Sequence, residues 1–480
     1  FRIEFTSQNV LNYDDYFKRM ISDFQIGKAS ICPELFNVTE YVLGPADKIK
    51  NKVALSMIEK SERVHWTYEQ LQSAVISIAL GLISHGLRPQ NKVLLQLGNT
   101  IEFPISFLAT IAVGIVPVPI STDLTEREIK DIMAILNPVA TLVESNSVRK
   151  KINGERFISL DELTKTNVCR SEFKYFKSKK NDLAYIVFTS GSSGTPIGVK
   201  HAHRAIWARK NMMDSWSGLN RYDRTLHFGA LNWTFTLGTG LLDPWSRGAT
   251  AIIPGSSILI DNLLDILKEE KVTIFSAVPN VFRKCLKRKI VPRLNFLRHG
   301  LTAGEKLSPE IYFSWKTKTG KELYEAFGMT ECSTFISNSC SVKPDPEKIG
   351  KAQFGRRISI LPIRSGEDPV PIGDCGLISI HRSDPGLMLG YSNIAKKRDE
   401  CFRGNWFVSS DLGIMDKDGF VSYCGRVDDV ITAGGFRVSP IEIEAFFMKL
   451  PEIENMVVTE IEIKKKVKII VAFYIAKNKL

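Results

Sequence analysis

Short apolar runs and longer amphipathic stretches take turns along the early part of the chain. Val53–Met57, Lys92–Leu97 and Val116–Ile120 read as buried strands, and Thr67–Ile83 and Ile101–Val113 have the length and apolar spacing of helices. Thr67-Tyr68-Glu69-Gln70 has the form of a capping box, with Thr67 as the cap and Gln70 at the third helical position. Strands alternating with helices predict a wound α/β sheet.

The charged stretch 146–182 reads as linker and surface helix. A second α/β unit follows, with a turn at Arg247-Gly248, a strand over Ala251–Ile253, a helix over Ile258–Glu270, a strand over Val272–Ala277 and a helix over Pro279–Lys289. From about Cys340 to Cys424 the pattern changes to short strands broken by Gly and Pro clusters, which predicts a β-rich part. Beyond it, a helix over Ile441–Lys449 and strands over Met456–Ile461 and Val467–Ile475 predict a compact α+β domain. The fold class is therefore α/β. The expected layout is a large N-terminal domain over 1–427, made of two wound α/β subdomains plus the β-rich part, and a small α+β domain over 428–480 that reads as cut short.

Composition narrows the class. With 480 residues, 44% of them hydrophobic, the chain can bury a large core and form more than one domain. A net charge of +12 suits anionic ligands such as nucleotides and CoA, and equally nucleic acid or acidic membrane surfaces. The basic runs Lys177-Ser178-Lys179-Lys180, Lys287-Arg288-Lys289 and Lys464-Lys465-Lys466 are short and carry no interleaved aromatic residues, so they read as solvated faces and nucleic acid is not an expected partner. None of the eight cysteines forms a Cys-x-x-Cys pair, which suits reduced thiols in the cytoplasm. The apolar stretch Pro104–Ile120 is broken by Gly114, Pro117 and Pro119, so it reads as a buried helix and strand, and no integral membrane association is expected.

The candidate chemistry centres on Thr189-Ser190-Gly191-Ser192-Ser193-Gly194-Thr195-Pro196-Ile197-Gly198-Val199-Lys200. An apolar strand, Ala184–Phe188, precedes it, and His201 to about Met213 reads as a following helix. Glycines let backbone N–H groups approach an anion, hydroxyls add donors, and a helix N-terminus adds a positive dipole end. The stretch reads either as a polyphosphate cradle or as a Gly/Ser surface loop. It is not the P-loop of the NTPases, because Val199 separates Gly198 from Lys200.

This stretch resembles the phosphate-loop signature of the adenylate-forming enzymes, and three further motifs follow in that family's order: Tyr324-Glu325-Ala326-Phe327-Gly328-Met329-Thr330-Glu331, Ser409-Ser410-Asp411-Leu412-Gly413 and Gly425-Arg426-Val427-Asp428-Asp429. The resemblance covers nearly the whole chain and is closest in look to benzoate-type and medium-chain acyl-CoA ligases. It implies an AMP-forming acid–CoA ligase using ATP, Mg²⁺ and CoA. Thr189, Ser190, Gly191, Ser192, Ser193 and Gly194 would hold the β- and γ-phosphates, Thr330 the α-phosphate and Glu331 the metal. Phe327 and Gly328 would face adenine together with Ala303-Gly304-Glu305, and Asp411 and Arg426 would bind the ribose. Asp428 would be the hinge of the small domain, and Gly434, Gly435 and Arg437 its CoA-side face.

By the same resemblance, Trp233, Phe235, Ala303 and Met329 would line an acyl pocket for an aryl or medium-chain acid. Trp233 and Phe235 equally suit core aromatics. Two departures stand out: Ile197 occupies the place of the loop lysine, with Lys200 near enough in sequence to compensate, and nothing after Arg437 matches the family's catalytic Gly-Lys motif. A carrier-protein thiol as acyl acceptor, and a protein that binds nucleotide without turnover, remain alternatives. A homodimer is left open.

Overall fold

The computed structural model describes residues 20–60, 62–144, 156–164, 173–190, 196–341, 344–392, 401–427, 429, 431–433, 436–438, 440–448, 450, 452–464 and 467–476. The chain divides into two compact units, one of residues 27–356 with 383–400 and one of residues 1–26, 357–382 and 401–480.

The larger unit holds a four-stranded parallel sheet in the order Val116–Pro119, Lys92–Leu95, Ala140–Val143, Phe157–Ser159. Its second main sheet runs Arg63–Thr67, Val53–Ile58, Thr250–Pro254, Arg224–Phe228, Ile274–Ala277, His299–Ala303, Glu322–Met329, Ser333–Ser337, Gly350–Ala352. The strands from Val53–Ile58 to Glu322–Met329 are mutually parallel. The α/β class read from the alternation is the observed one, but Val53–Ile58 lies in this second sheet and not beside Lys92–Leu95. Alternation of apolar runs fixes the type of an element and leaves open which sheet it joins.

The helix Tyr68–Ser84 starts as its sequence dictates. Thr67 Oγ1 accepts from Gln70 N at 3.2 Å, and Gln70 Oε1 accepts from Thr67 N at 2.8 Å, which satisfies two of the donors a helix start leaves unpaired. Leu71, Val75, Ile78, Ala79 and Leu82 bury one stripe of it against the helix Glu102–Ala112, which is buried from Phe103 to Ala112. Among the described residues no helix is long and apolar enough to cross a membrane.

The expected helix at His201 is corrected. Leu183–Ser190 and Pro196–Ala202 form an antiparallel hairpin, with Ser190 opposite Pro196 and Ile186 opposite Lys200, and the helix begins only at Arg204. Pro196, Ile197 and Val199 favour an extended chain, and Ile197 and Val199 are buried on one face of it. The helix thus follows the second strand of the hairpin and does not directly follow the glycine-rich segment.

The smaller unit is built on an antiparallel sheet in the order Asp23–Gln25, Arg357–Leu361, Cys375–His381, Trp406–Met415, Phe420–Arg426. It continues with a hairpin of Ile431–Ala433 and Phe436–Val438, a helix Pro440–Phe447 and a long hairpin of Ile453–Lys464 and Val467–Ala476.

Candidate active site

Parallel strands send their loops out at one edge, where α/β sheets bind ligands. In the larger unit Ala303 and Ala326 sit opposite one another on adjacent strands, so the Gly304-Glu305 loop leaves the sheet beside the Phe327–Met329 end of the neighbouring strand. Gly304 takes a left-handed φ of +92° and, like Glu305, is exposed. The pairing of Glu322–Met329 with Ser333–Ser337 is bulged between Phe327 and Gly328. A Cβ at Gly328 would come within 2.4 Å of Ser333 O and 2.5 Å of Thr334 Cα, so only glycine lets the two strands approach there. Phe327 is half-buried and meets Phe335 edge-on at 5.4 Å.

Glu331 is tied to the hairpin of Leu183–Ser190 and Pro196–Ala202 through a third piece of chain. Gly390–Tyr391 adds a short strand to the hairpin, opposite Lys200 and Val199, and Leu389 N donates to Lys200 O at 2.8 Å. From that strand the Tyr391 hydroxyl donates to Glu331 Oε1 at 2.9 Å, and Met388 N donates to Glu331 O at 2.7 Å. Two arginines hold the connecting segment. Arg356 is buried and donates to Asp384 Oδ1 at 2.5 Å, and Gly386 N donates to the same oxygen at 2.7 Å. Arg204 Nη1 donates to Pro385 O and, at 3.0 Å, to Leu387 O.

The segment that follows Arg224–Phe228 is anchored by Asn99, whose Nδ2 donates to Gly229 O at 2.8 Å and whose Oδ1 accepts from Leu231 N at 3.0 Å. Beyond it Trp233 is 53% exposed, whereas Phe235 packs on Trp216 at 6.2 Å and on the edge of His227 at 4.5 Å. Burial pushes His227 down to about 3, so it is neutral. Arg209 and Asp243 form a buried two-pronged pair at 2.8 and 2.6 Å, with Thr239 and Ser333 as further acceptors. Arg209 and Ser333 line a small cavity together with His201, Thr234 and Gly238.

In the smaller unit, Asp411 and Arg426 pair across adjacent strands. Asp411 is 9% exposed and its Oδ1 accepts from the Tyr423 hydroxyl at 3.1 Å, with Arg426 Nη1 at 3.9 Å. Residues Gly191, Ser192, Ser193, Gly194, Asp428, Gly434 and Gly435 lie outside the described residues, and Arg437 is described only as part of its strand.

Residues 45–392 match the family model described as AMP-binding enzyme. The chain belongs to that family. Among curated relatives, human mitochondrial acyl-coenzyme A synthetase ACSM3 is 27% identical over 486 residues, covering 94% of this chain and 81% of its own. The acyl–CoA ligase YtcI of Bacillus subtilis is 24% identical over 435 residues, covering 88% and 82%. Among solved structures, the benzoate CoA ligase of Burkholderia xenovorans superposes with a TM-score of 0.80 at 24% identity, covering 92% of this chain and 90% of its own, which shows a shared fold.

Within the AMP-binding frame the departure at Ile197 acquires a geometry. Ile197 is 7% exposed and lies opposite Thr189 in the hairpin. Lys200 lies three register positions further along, on the opposite face of the strand, so it does not occupy the place of a residue at 197. Tyr391, Asn99, Arg204 and Arg356 carry no signature by residue type. The role of Pro385–Tyr391 in holding Glu331 shows only in three dimensions.

Proposed function

We propose that this AMP-binding enzyme is an acid–CoA ligase: a carboxylate oxygen attacks the α-phosphorus of ATP and pyrophosphate leaves, and the CoA sulfur then attacks the acyl carbon of the adenylate and AMP leaves. The observation that carries this reading is the tie between Glu331 and the phosphate-loop hairpin through Tyr391. It sets a hard oxygen donor against the segment that would receive the polyphosphate.

Mg²⁺ prefers one or two carboxylates plus substrate phosphates, and Glu331 fits that demand with one oxygen already oriented by Tyr391. The metal would offset the repulsion between two approaching anions. Thr189 and Ser190, with the loop that follows them, would donate to the β- and γ-phosphates and Thr330 to the α-phosphate. Phe327 and the Gly304-Glu305 loop would face adenine, and Asp411, with Tyr423 and Arg426 around it, would accept from the ribose hydroxyls. The acid is an aryl or medium-chain acid bordered by Trp233, Phe235, Ala303 and Met329. Asp428 would be the hinge of a moving C-terminal part that presents Gly434, Gly435 and Arg437 to CoA.

A panel of aryl and medium-chain acids, incubated with ATP, Mg²⁺ and CoA, tests the reading by mass spectrometry. AMP with a matching acyl-CoA supports it. Acyl-adenylate without acyl-CoA favours a carrier-protein acceptor, and nucleotide binding with no AMP from any acid favours a binding protein without turnover, the outcome to which the buried Ile197 lends weight.

A further inference from the structure

Glu325 lies two residues before Phe327 and is buried. Its Oε1 accepts from Leu307 N at 2.8 Å, so the side chain reaches from its own strand to the loop that leaves the neighbouring strand after Ala303. That loop, Gly304-Glu305-Lys306, is exposed at its first two residues, and Lys306 is moored by a 3.0 Å bond to Glu347 O. The end of the loop is therefore held by the Glu325 carboxyl group together with the Lys306 mooring.

The other oxygen, Glu325 Oε2, is also buried and has no hydrogen-bond partner among the described residues. Thr302 is the register partner of Glu325 on one side, and on the other Asn338 N donates to Glu325 O at 2.9 Å. Thr302 Oγ1 and Asn338 Oδ1 are likewise buried without a partner among the described residues. A carboxylate oxygen buried with no donor is the costly state of the group, and a proton on that oxygen relieves it.

We propose that Glu325 is a positioning residue that couples proton uptake to nucleotide affinity. When ionised it holds Leu307, and with it the Gly304–Lys306 loop, by a charge-assisted hydrogen bond; when protonated on Oε2 it holds them by a neutral and weaker one. The inference rests on the reading of this loop as part of the nucleotide site. The neighbours Thr302 and Asn338 are uncharged. Burial raises the carboxyl to about 7, and Lys306 and the Leu307 N–H act against that rise. The group thus changes state where an ordinary glutamate is fully ionised.

The test is the equilibrium dissociation constant of MgATP between about pH 5.5 and 8.5 for the protein, Glu325→Gln and Lys306→Met. Glutamine keeps an acceptor and cannot titrate, so its profile keeps every other ionisation and lacks only that of residue 325. Relative to Glu325→Gln, the unaltered protein should lose about fivefold in affinity as pH falls through about 7. In Lys306→Met the inflection should move to higher pH, because the cation that favours the carboxylate is gone. Profiles that coincide for the protein and Glu325→Gln overturn the inference alone, as does an inflection that Lys306→Met leaves in place. If MgATP binds at no pH, the nucleotide reading falls and this inference with it. Should Glu325→Gln fail to fold, the comparison of Lys306→Met with the unaltered protein decides.

Discussion

Replacing Tyr391 by phenylalanine removes one oxygen and leaves almost everything else. The ring stays, and so does the backbone pairing of Gly390–Tyr391 with Val199 and Lys200. What goes is the hydroxyl that donates to Glu331 Oε1 at 2.9 Å. A hydrogen bond to a charged group contributes about 1.5–3 kcal/mol. Glu331 is half-buried, so water replaces part of what is lost and the lower end of that range applies. About 1.5 kcal/mol corresponds to roughly tenfold in an equilibrium or a rate. The loss should fall on the metal step, because the carboxylate is no longer oriented by a fixed donor. The assay is acid-dependent exchange of pyrophosphate into ATP across a Mg²⁺ titration. In Tyr391→Phe the half-saturating Mg²⁺ concentration should rise by about tenfold, with the urea midpoint of unfolding little changed. An unaltered Mg²⁺ dependence in a normally folded variant would refute the idea that Tyr391 holds the metal-binding carboxylate.

Gly328→Ala should destabilise the protein by about 1–3 kcal/mol in urea unfolding and weaken MgATP binding, because the added Cβ meets backbone of the next strand at 2.4 Å and has no flexible side chain to push aside. Asp384→Asn breaks a buried ion pair and leaves the Arg356 charge without its counterion, so unfolding free energy should drop by about 3–5 kcal/mol. Glu325 should make stability fall as pH rises. Its folded carboxyl still holds a proton up to about pH 7, whereas the unfolded chain has released it above its ordinary value of 4.5. Between those values the folded state binds more protons, so stability declines by as much as about 3 kcal/mol in all. Urea melts of Glu325→Gln should lack that slope, and a slope equal to that of the unaltered protein would contradict it.

Local signals were legible in the sequence and pairings across distance were not. The Thr67-Gln70 box is written in four adjacent residues, and it forms as written. Val53–Ile58 was legible as a strand, yet its partner Thr250–Pro254 lies almost two hundred residues away, and nothing local names it. The hairpin Leu183–Ser190 to Pro196–Ala202 was hidden for a different reason. The apolar, branched Ile197 and Val199 alternate too briefly to outweigh the expectation of a helix after a glycine-rich loop. Four ordered motifs pointed to the AMP-binding family, and the family match bears that out. The supports of the site were silent: Tyr391 meets Glu331 across 60 positions and Asn99 meets Gly229 across 130. A tyrosine or an asparagine acquires such a role only from what the fold sets opposite it.

The step that defines this enzyme joins a carboxylic acid to AMP. Acid-dependent exchange of labelled pyrophosphate into ATP reads that step alone, since it needs no thiol acceptor. Exchange should require Mg²⁺, appear with at least one aryl or medium-chain acid, and fall by about 10²-fold or more in Glu331→Gln. No exchange with any such acid, in a preparation that binds MgATP, would contradict it.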